Sequence, residues 1–543
     1  MVAQADTERN RAQQLHAAIE HLRARNWRLA EVQCRMLLAV NPADIEGLLV
    51  LGLSIAASGE AARAAPILER VRRARPDHEG PCRDLETMQP RVPRALVARQ
   101  YRSCLRLAPG DARLRRDFAS YLLDNGEPDT ALTVLREAPE SAATYNLRGM
   151  ALAETCKYRD AARCFENAAR LEPEAAAGWA NLGMMLNIDG RFDDALTAYD
   201  RAIGCAGDDP QIRVNRAIAQ LHAGRWAEAW RDFEWRFNRP GYVPVSDAAL
   251  LPVLDGTTRL DGMRVLVWHE EGFGDTLQFA RFLPLLAERG AEVIASVPAA
   301  LLRLLRCIPG ITVVQAGQSL PPAHDFQCPF FSLPRAFGIT PRTVPARPYL
   351  TADPALAEAW DARLPDEGLR VGLVWAGQAR PWLQGFTSVD RRRSAGLAAF
   401  APLASVSGVR FISLQAGTSA AQGQDPPAGM ELLDPMESVR DFADTAAIVS
   451  GLDVVISVDT SVAHLAGAMG KRVFLLDRYD NCWRWLHGRT DSPWYPTMTI
   501  FRQPRPGDWS SVMHRAASAL AALTVSRDGG TGAAPRSGLA SAA

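Results

Sequence analysis

"LDVVISVDTSVAHLAGAMGKRVFLLD", residues 452–477, holds two short apolar runs on either side of a helical pattern. Residues 454–458, "VVISV", are rich in β-branched side chains, as a strand covered on both faces requires. Asp459-Thr460-Ser461 then turns the chain, "VAHLAGAMG" reads as a helix, and Gly470 ends it before the next strand. Strand, helix, strand is the unit of a parallel sheet, and ligands in such sheets sit where a strand's carboxyl end enters its helix. Thr460 and Ser461 are cap-forming residues, and the N–H groups of the helix start suit a pyrophosphate. His464 falls one turn in, on the same side. The competing reading is an ordinary cap with a satisfied core histidine.

Outward from this stretch, similar runs recur: "RVLVW", "AEVIASV" and "ITVVQA", then "RVGLVWAG", "VRFISLQAG" and "KRVFLLD". Helix-length segments separate them, which predicts α/β layers. "PYLTADPALAEAWDARLPDEG", residues 348–368, divides the runs into two sets, so two Rossmann-like lobes with a cleft are expected. Two further loops follow strand ends. "WAGQARPWLQGFTSVDRRRSAG", residues 375–396, carries Arg391, Arg392 and Arg393, able to neutralise a diphosphate or to form a solvated run. "WHEEGFGDTLQFARF", residues 268–282, has Gly272 and Gly274 before a helical pattern. It lacks the third glycine of a dinucleotide fingerprint and the lysine of a P-loop, and Asp275 stands where a phosphate would want positive charge. On position alone Asp275 reads as a helix cap. Late aromatics in "DNCWRWLHGRTDSPWYP" divide evenly between sugar stacking and packing.

The first 239 residues follow another rule. Small residues recur at Ala30, Ala64, Val97, Ala131, Ala161, Ala195 and Ala229, spaced 34, 33, 34, 30, 34 and 34. Four places beyond each stands a larger or apolar residue: Cys34, Leu68, Tyr101, Leu135, Phe165, Tyr199 and Phe233. Gly52, Gly149 and Gly183 fall twelve before, and Pro42, Pro76, Pro109 and Pro173 twelve after. The unit "AAGWANLGMMLNIDGRFDDALTAYDRAI" resembles the tetratricopeptide repeat, which implies about seven stacked helical hairpins in a superhelix. The 30-residue step predicts one shortened hairpin. Such arrays bind a protein or peptide on the concave face, or support oligomers.

Composition narrows the classes. The chain has 543 residues, and 61 basic side chains balance 61 acidic ones, so neither nucleic acid nor an anionic membrane is the expected partner. Only Lys157 and Lys471 are lysines. Nine cysteines show no metal-ligand spacing, which predicts reduced thiols in a cytoplasmic protein and no bound metal. "MVAQADTERNRAQQ" lacks the apolar core of a signal peptide, and no membrane span is expected. The division expected is an array over 1–239, a first lobe over 240–362, a second over 363–525, and a Gly/Ala/Ser-rich disordered tail over 526–543. "NRPGYVPVSDAALLPVLDG" reads as the linker after the array, and "GDWSSVMHRAASALAAL" as a last helix crossing back onto the first lobe.

The two lobes resemble the GT-B glycosyltransferases of the ADP-heptose:LPS heptosyltransferase group, glycosyltransferase family 9, in a branch fused to tetratricopeptide repeats. The carriers span about residues 250–515: "EEGFGDTLQFARFLP", "FQCPFFSLPRAFGI", "RVGLVWAG", "DRRRS", "FISLQAG", "DFADTAAIVSGLDVVISVDTSVAHLAGAMGKRVFLL" and "DSPWYPTMTIFRQPRPGDWSSVM". The resemblance implies inverting transfer from a nucleotide-sugar, without metal or cofactor. Asp275 would be the base, with Glu270 and Glu271 as substitutes, and Glu271, Gly272 and Gly274 would form the acceptor-side loop. Asp459, Thr460, Ser461 and His464 would meet the donor phosphates, with Arg393 or Arg391 as the basic contact and Gln415 near the base or ribose. Related sequences carry a lysine after that glutamine, where this chain has Ala416, and "PWLQGFTSV" also departs from their pattern. The acceptor implied is a protein or cell-surface glycan recruited by the array. The alternatives are a scaffold whose lobes have decayed into a binding module and, with a poor motif fit, a nucleotide-sugar epimerase.

Overall fold

In the computed structural model, the small residues that mark the repeat are the points where paired helices touch. Ala30, Ala64, Val97, Ala131, Ala161, Ala195 and Ala229 expose no surface at all. The glycines explain themselves the same way. A Cβ on Gly52 would lie 2.6 Å from Leu68, one on Gly149 2.5 Å from the Phe165 ring, and one on Gly183 3.1 Å from the Tyr199 ring. Each first helix thus opens a slot for the large residue of the second. Burying one such side chain contributes about 1.5–3 kcal/mol, too little for a lone hairpin.

The structure describes residues 2–23, 26–41, 44–58, 60–74, 94–239, 242, 245–317, 321–378 and 386–528. Thirteen helices of the array fall within them: α1 (Val2–Arg23), α2 (Trp27–Val40), α3 (Ile45–Ala57), α4 (Ala61–Ala74), α5 (Arg94–Leu107), α6 (Ala112–Asp124), α7 (Pro128–Leu135), α8 (Ala142–Glu154), α9 (Tyr158–Leu171), α10 (Ala176–Ile188), α11 (Phe192–Ala206), α12 (Pro210–His222) and α13 (Trp226–Phe233). Pro42 and Pro76 lie outside the described residues. First helices start at side-chain caps: Asp44, Asp111, Ser141 and Asp209 each accept a first-turn N–H. The 30-residue step is absorbed by α7, eight residues long against fourteen in α9.

The chain forms two compact units, Met1–Gly178 and Trp179–Ala543, so the break lies inside α10. The sequence reading placed the first boundary after 239. The difference arises because α12 and α13 share the core of the α/β part: Val214, Leu221, Trp226, Trp230 and Phe233 pack in one cluster with Val265, Phe279 and Trp494. Trp226 stacks on Trp494 at 5.1 Å, and Trp230 meets Trp483 edge-on while its Nε1–H donates to the Ile339 carbonyl at 2.9 Å. The segment read as a linker is equally engaged where it is described, with Leu251 and Leu254 buried and Leu251 N–H donating to the Gln327 carbonyl.

Two all-parallel sheets follow. The first contains β1 (Ala249–Leu250), β2 (Arg264–Trp268), β3 (Glu292–Val297), β4 (Ile311–Gln315) and β5 (Phe326–Pro329), in the order β1-β5-β2-β3-β4. The second contains β6 (Leu369–Val374), β7 (Val409–Ser413), β8 (Leu432–Leu433), β9 (Val454–Val458), β10 (Arg472–Asp477) and β11 (Met498–Arg502), in the order β11-β10-β9-β6-β7-β8. Each is a doubly wound, Rossmann-like lobe, and together they make the GT-B layout expected. The direction of winding reverses between β2 and β5 in the first and between β6 and β9 in the second. Loops leaving those strand ends diverge to opposite faces and open a crevice. The C-terminal helix, Trp509–Asp528, lays Val512, Met513, Ala516 and Leu520 against Phe400, Leu403 and Phe474 of the second lobe. It does not cross to the first, and it carries residues 526–528, which the sequence reading gave to a disordered tail; 529–543 lie outside the described residues.

Candidate active site

The second lobe's switch point begins at Asp459, directly after β9. Helix α14 (Ser461–Ala468) starts from Thr460, whose extended backbone leads into the first turn. The Thr460 hydroxyl does not cap that turn; it lies 3.0 Å from Ser457 Oγ, so no side chain occupies the helix's leading N–H groups. Arg393 reaches the same point from the end of the helix Phe386–Arg393, its Nη1–H donating to the Asp459 carbonyl at 3.2 Å. Its guanidinium lies flat against Gly377, where a side chain would collide with it, and is paired with Asp390. Arg392 is held by Asp480 at 2.9 Å, and Arg391 is exposed. Asp459, Thr460, Ser461 and Arg393 are therefore assembled at one place; Arg391 is not among them. Residues 379–385, which include the "PWLQG" of "PWLQGFTSV", lie outside the described residues.

Of two other expected donor contacts, Gln415 is occupied internally and His464 in part. Gln415 is buried, with Oε1 accepting from Trp375 N–H and Ala376 N–H and Nε2 donating to the carbonyls of Ala376 and Ala416. It braces the chain leaving β6 and has nothing left for a ribose or base. His464 is buried, stacked on Trp485 at 5.2 Å, with Nδ1 2.9 Å from Tyr495 Oη. Burial pushes its pKa down to about 3, against the raising effect of Asp459. Its Nε2 lies 4.0 Å from Asp459 Oδ1, so the ring is packed in the core with one nitrogen beside the donor-side turn. Trp483, Trp485, Trp494 and Tyr495 are all buried too, which decides the late aromatics in favour of packing.

The first lobe's switch point is the 269–275 loop after β2. Helix Phe273–Phe279 follows, and its first turn carries Asp275. Asp275 is doubly engaged: Oδ2 accepts from Gly272 N–H at 2.9 Å, and Oδ1 is paired with Arg484 of the second lobe. Arg484 is buried over the Trp483 ring at 4.4 Å, and its Nε–H donates to Gln278 Oε1 at 2.6 Å. Glu270 is consumed as well, by Arg236 through Nε and Nη2 at 3.0 and 2.8 Å and by Phe331 N–H. Glu271 is different. Its side chain reaches solvent, while surrounding protein and the charges of Asp275 and Glu270 raise its carboxyl above the ordinary glutamate value. Its φ is +64°, in the left-handed region that costs a non-glycine residue about 1–2 kcal/mol.

The two switch points face one another. Helix Phe273–Phe279 packs on α14, and a Cβ on Gly274 would sit 2.9 Å from His464 Cδ2 and 3.5 Å from Ser461 Cα. Gly274 is thus small where the opposite lobe packs against it. Beyond Arg484–Asp275, Arg303 of the first lobe meets Asp441 and Asp444 of the second at 3.3 and 3.4 Å, and Arg281 Nη1–H donates to the Trp494 carbonyl at 2.9 Å. A groove of about 810 Å³ lined by Asp453, Lys471, Arg472 and Thr497 lies at the opposite, amino end of the second sheet. Among the described residues no His, Cys, Asp and Glu cluster has the form of a metal site.

Sequence reasoning missed Arg484, Arg236 and Arg281. The one usable signal was "WRW", since an arginine between tryptophans suits a stacked, buried guanidinium better than a solvated one.

Residues 146–210 and 189–234 match the tetratricopeptide repeat family. Those segments carry tetratricopeptide repeats. The chain is 26% identical over 509 residues to Protein FlbA of Caulobacter vibrioides, covering 87% of this chain and 83% of that one. Among solved structures, the glycosyl transferase family 9 protein of Veillonella parvula DSM 2008 aligns over 49% of this chain and 99% of its own, with 13% identity and a TM-score of 0.37. The E. coli ADP-heptose lps heptosyltransferase II aligns over 49% and 100%, with 12% identity and a TM-score of 0.37.

Proposed function

We propose that this chain is a glycosyltransferase that moves a sugar from a nucleotide-sugar to a protein or cell-surface glycan recruited by its repeat array. The observation carrying the reading is the meeting of two switch points: a carboxylate-bearing loop of one Rossmann-like lobe abuts an uncapped helix start of the other. Such an arrangement suits a donor anion on the second lobe and a hydroxyl acceptor on the first. The donor diphosphate would rest on the N–H groups that open α14, with Thr460, Ser461 and Arg393 around it. Attack on the anomeric carbon from the face opposite the diphosphate gives inversion, and the helix start and arginine take up the departing charge without a metal. The motif resemblance in the lobes and the repeats in the array support the same reading.

A decayed binding module is the second reading. Gln415 and Asp275 are engaged in internal contacts, and Ala416 stands where related sequences carry a lysine, which favours it. One panel separates the two: ADP-, GDP- and UDP-sugars, each assayed for nucleoside diphosphate release and for a shift in Tm. Release with at least one donor is expected; no release and no shift with any would end the enzyme reading. A cytoplasmic location belongs to the same proposal, and no helix among the described residues is long and apolar enough to cross a membrane.

A further inference from the structure

The loop that bears Asp275 is anchored from outside both Rossmann-like lobes. Arg236 lies in the short turn Glu234–Asn238 that closes the last repeat hairpin, and its side chain is only 4% exposed. All five of its guanidinium N–H groups are filled. Nε and Nη2 donate to the two oxygens of Glu270 at 3.0 and 2.8 Å, and Nη2 also donates to Ser332 Oγ at 2.8 Å. Nη1 donates to the Phe233 carbonyl at 3.1 Å and to Glu234 Oε1 at 2.7 Å. The rings of Phe233, Phe237 and Phe331 lie against it. Glu270 accepts in addition from Phe331 N–H, and the Ser332 hydroxyl donates to Glu234.

The groups that Arg236 holds lie at the mouth of the first lobe. Glu270 follows the carboxyl end of β2, whereas Phe331 and Ser332 follow that of β5. Winding reverses between those two strands, so one arginine ties together the diverging walls of the crevice. Two residues past Glu270, Gly272 N–H donates to Asp275 Oδ2 at 2.9 Å. Only Glu271, in the left-handed conformation, separates the two anchored residues. Displacing Glu270 therefore moves the N–H that aims Asp275. Joining the hairpin to the lobes does not require this address, since Trp226 and Trp230 make that joint through Trp494 and the Ile339 carbonyl.

Resting on the glycosyltransferase reading, we propose that Arg236 is a positioning residue for transfer. Through it the repeat array holds the loop that aims Asp275, the base that the resemblance implies. The array's last turn is then part of the transfer site, and the two lobes without it are an incomplete enzyme. A lysine at 236 keeps the buried charge but has three N–H groups and no planar fork. It cannot hold Glu270 at two points while also meeting Ser332 and Glu234.

The test uses the full chain with ADP-, GDP- and UDP-sugars, water serving as acceptor. It compares R236K and R236Q with L221A, which opens a cavity at a fully buried leucine of the same hairpin. In both Arg236 variants kcat falls on the order of 100-fold, the usual effect of a reacting group misplaced by about 1 Å. Donor KM, donor-binding stoichiometry and the donor-induced Tm shift stay at wild-type values. Amides of residues 270–276 lose protection against hydrogen exchange, and those of 461–468 keep theirs. L221A lowers Tm but keeps wild-type kcat and the protection at 270–276. R236K leaves Glu270 with a cation beside it, so it carries the readout if R236Q does not fold. Wild-type kcat or unchanged protection at 270–276 in R236K, or an equal loss of kcat in L221A, would overturn the assignment while leaving the transferase reading intact. If the wild type binds donor without turnover, exchange alone decides: lost protection at 270–276 supports the assignment and retained protection sinks it. Absence of both turnover and Tm shift in the wild type would remove the transferase reading and this one with it.

Discussion

Gly274 shows how far a single residue can mislead when read alone. Two glycines after a strand suggest a phosphate cradle, yet Gly274 is small because His464 and Ser461 of the opposite lobe lie against it. G274A is expected to cost about 1–3 kcal/mol, since the clash is with a ring already stacked on Trp485. G110A, at a glycine with nothing within 4 Å, serves as the neutral control in the same urea titration. The Arg484–Asp275 pair makes a second residue-level prediction. R484Q and D275N should each destabilise by on the order of 2–4 kcal/mol, because each strands a partner in a largely buried joint. Together they should cost much less than the sum, which a double-mutant cycle reads directly.

At the scale of elements, the aromatic contact between α13 and the loops of the second lobe turns a repeat hairpin into part of the α/β core. W226A removes a fully buried indole stacked on Trp494 and should cost about 3–5 kcal/mol. The loss should appear in the unfolding of the lobes, followed through the other tryptophans, and not in a separate early transition. Helices α12 and α14 also carry the pH response. His222, 3.1 Å from Asn187 Oδ1, and His464 are each held down to about 3 from 6.5 by burial first. A folded-state pKa below the unfolded one means that the unfolded chain binds more protons between those values. Stability is therefore full above about pH 6.5 and falls as pH drops toward about 3, by on the order of a few kcal/mol. Asp477, pushed up to about 6 by burial, works in the opposite sense, but its displacement is smaller than that of either histidine. Urea midpoints at pH 7 and pH 5 should fall with pH, and H222N should flatten the slope.

For the whole molecule, the break between Gly178 and Trp179 predicts where the chain can be divided. A fragment starting at 179 should fold cooperatively, whereas one starting at 245 should not. The shorter fragment loses Trp226, Trp230 and Arg236, and leaves Glu270, Trp483 and Trp494 uncovered. Circular dichroism melts of the two fragments decide this. Repeat periodicity could not have revealed it, because α12 and α13 obey the same 34-residue spacing as the hairpins before them; only their outward faces differ.

The sequence by itself determined the elements and most of their order. Small residues about 34 apart required helical hairpins, because paired helices bring such small residues into contact, and short runs rich in Val, Ile and Leu required parallel strands covered on both faces. The strands it missed, β1, β5, β8 and β11, are short or interrupted by proline or polar residues, and are fixed by neighbours distant in sequence. It also located both loops of the candidate site, since strand ends entering helices are local features. Which side chains in those loops are open was decided only by the tertiary structure. Asp275, Gln415 and His464 look available in the sequence, but Arg484 comes to Asp275 from 209 residues away and the Trp375 and Ala376 N–H groups come to Gln415 from about 40. Hydrogen-bonding capacity is a local property of a residue, whereas what fills it is set by whatever the fold brings alongside.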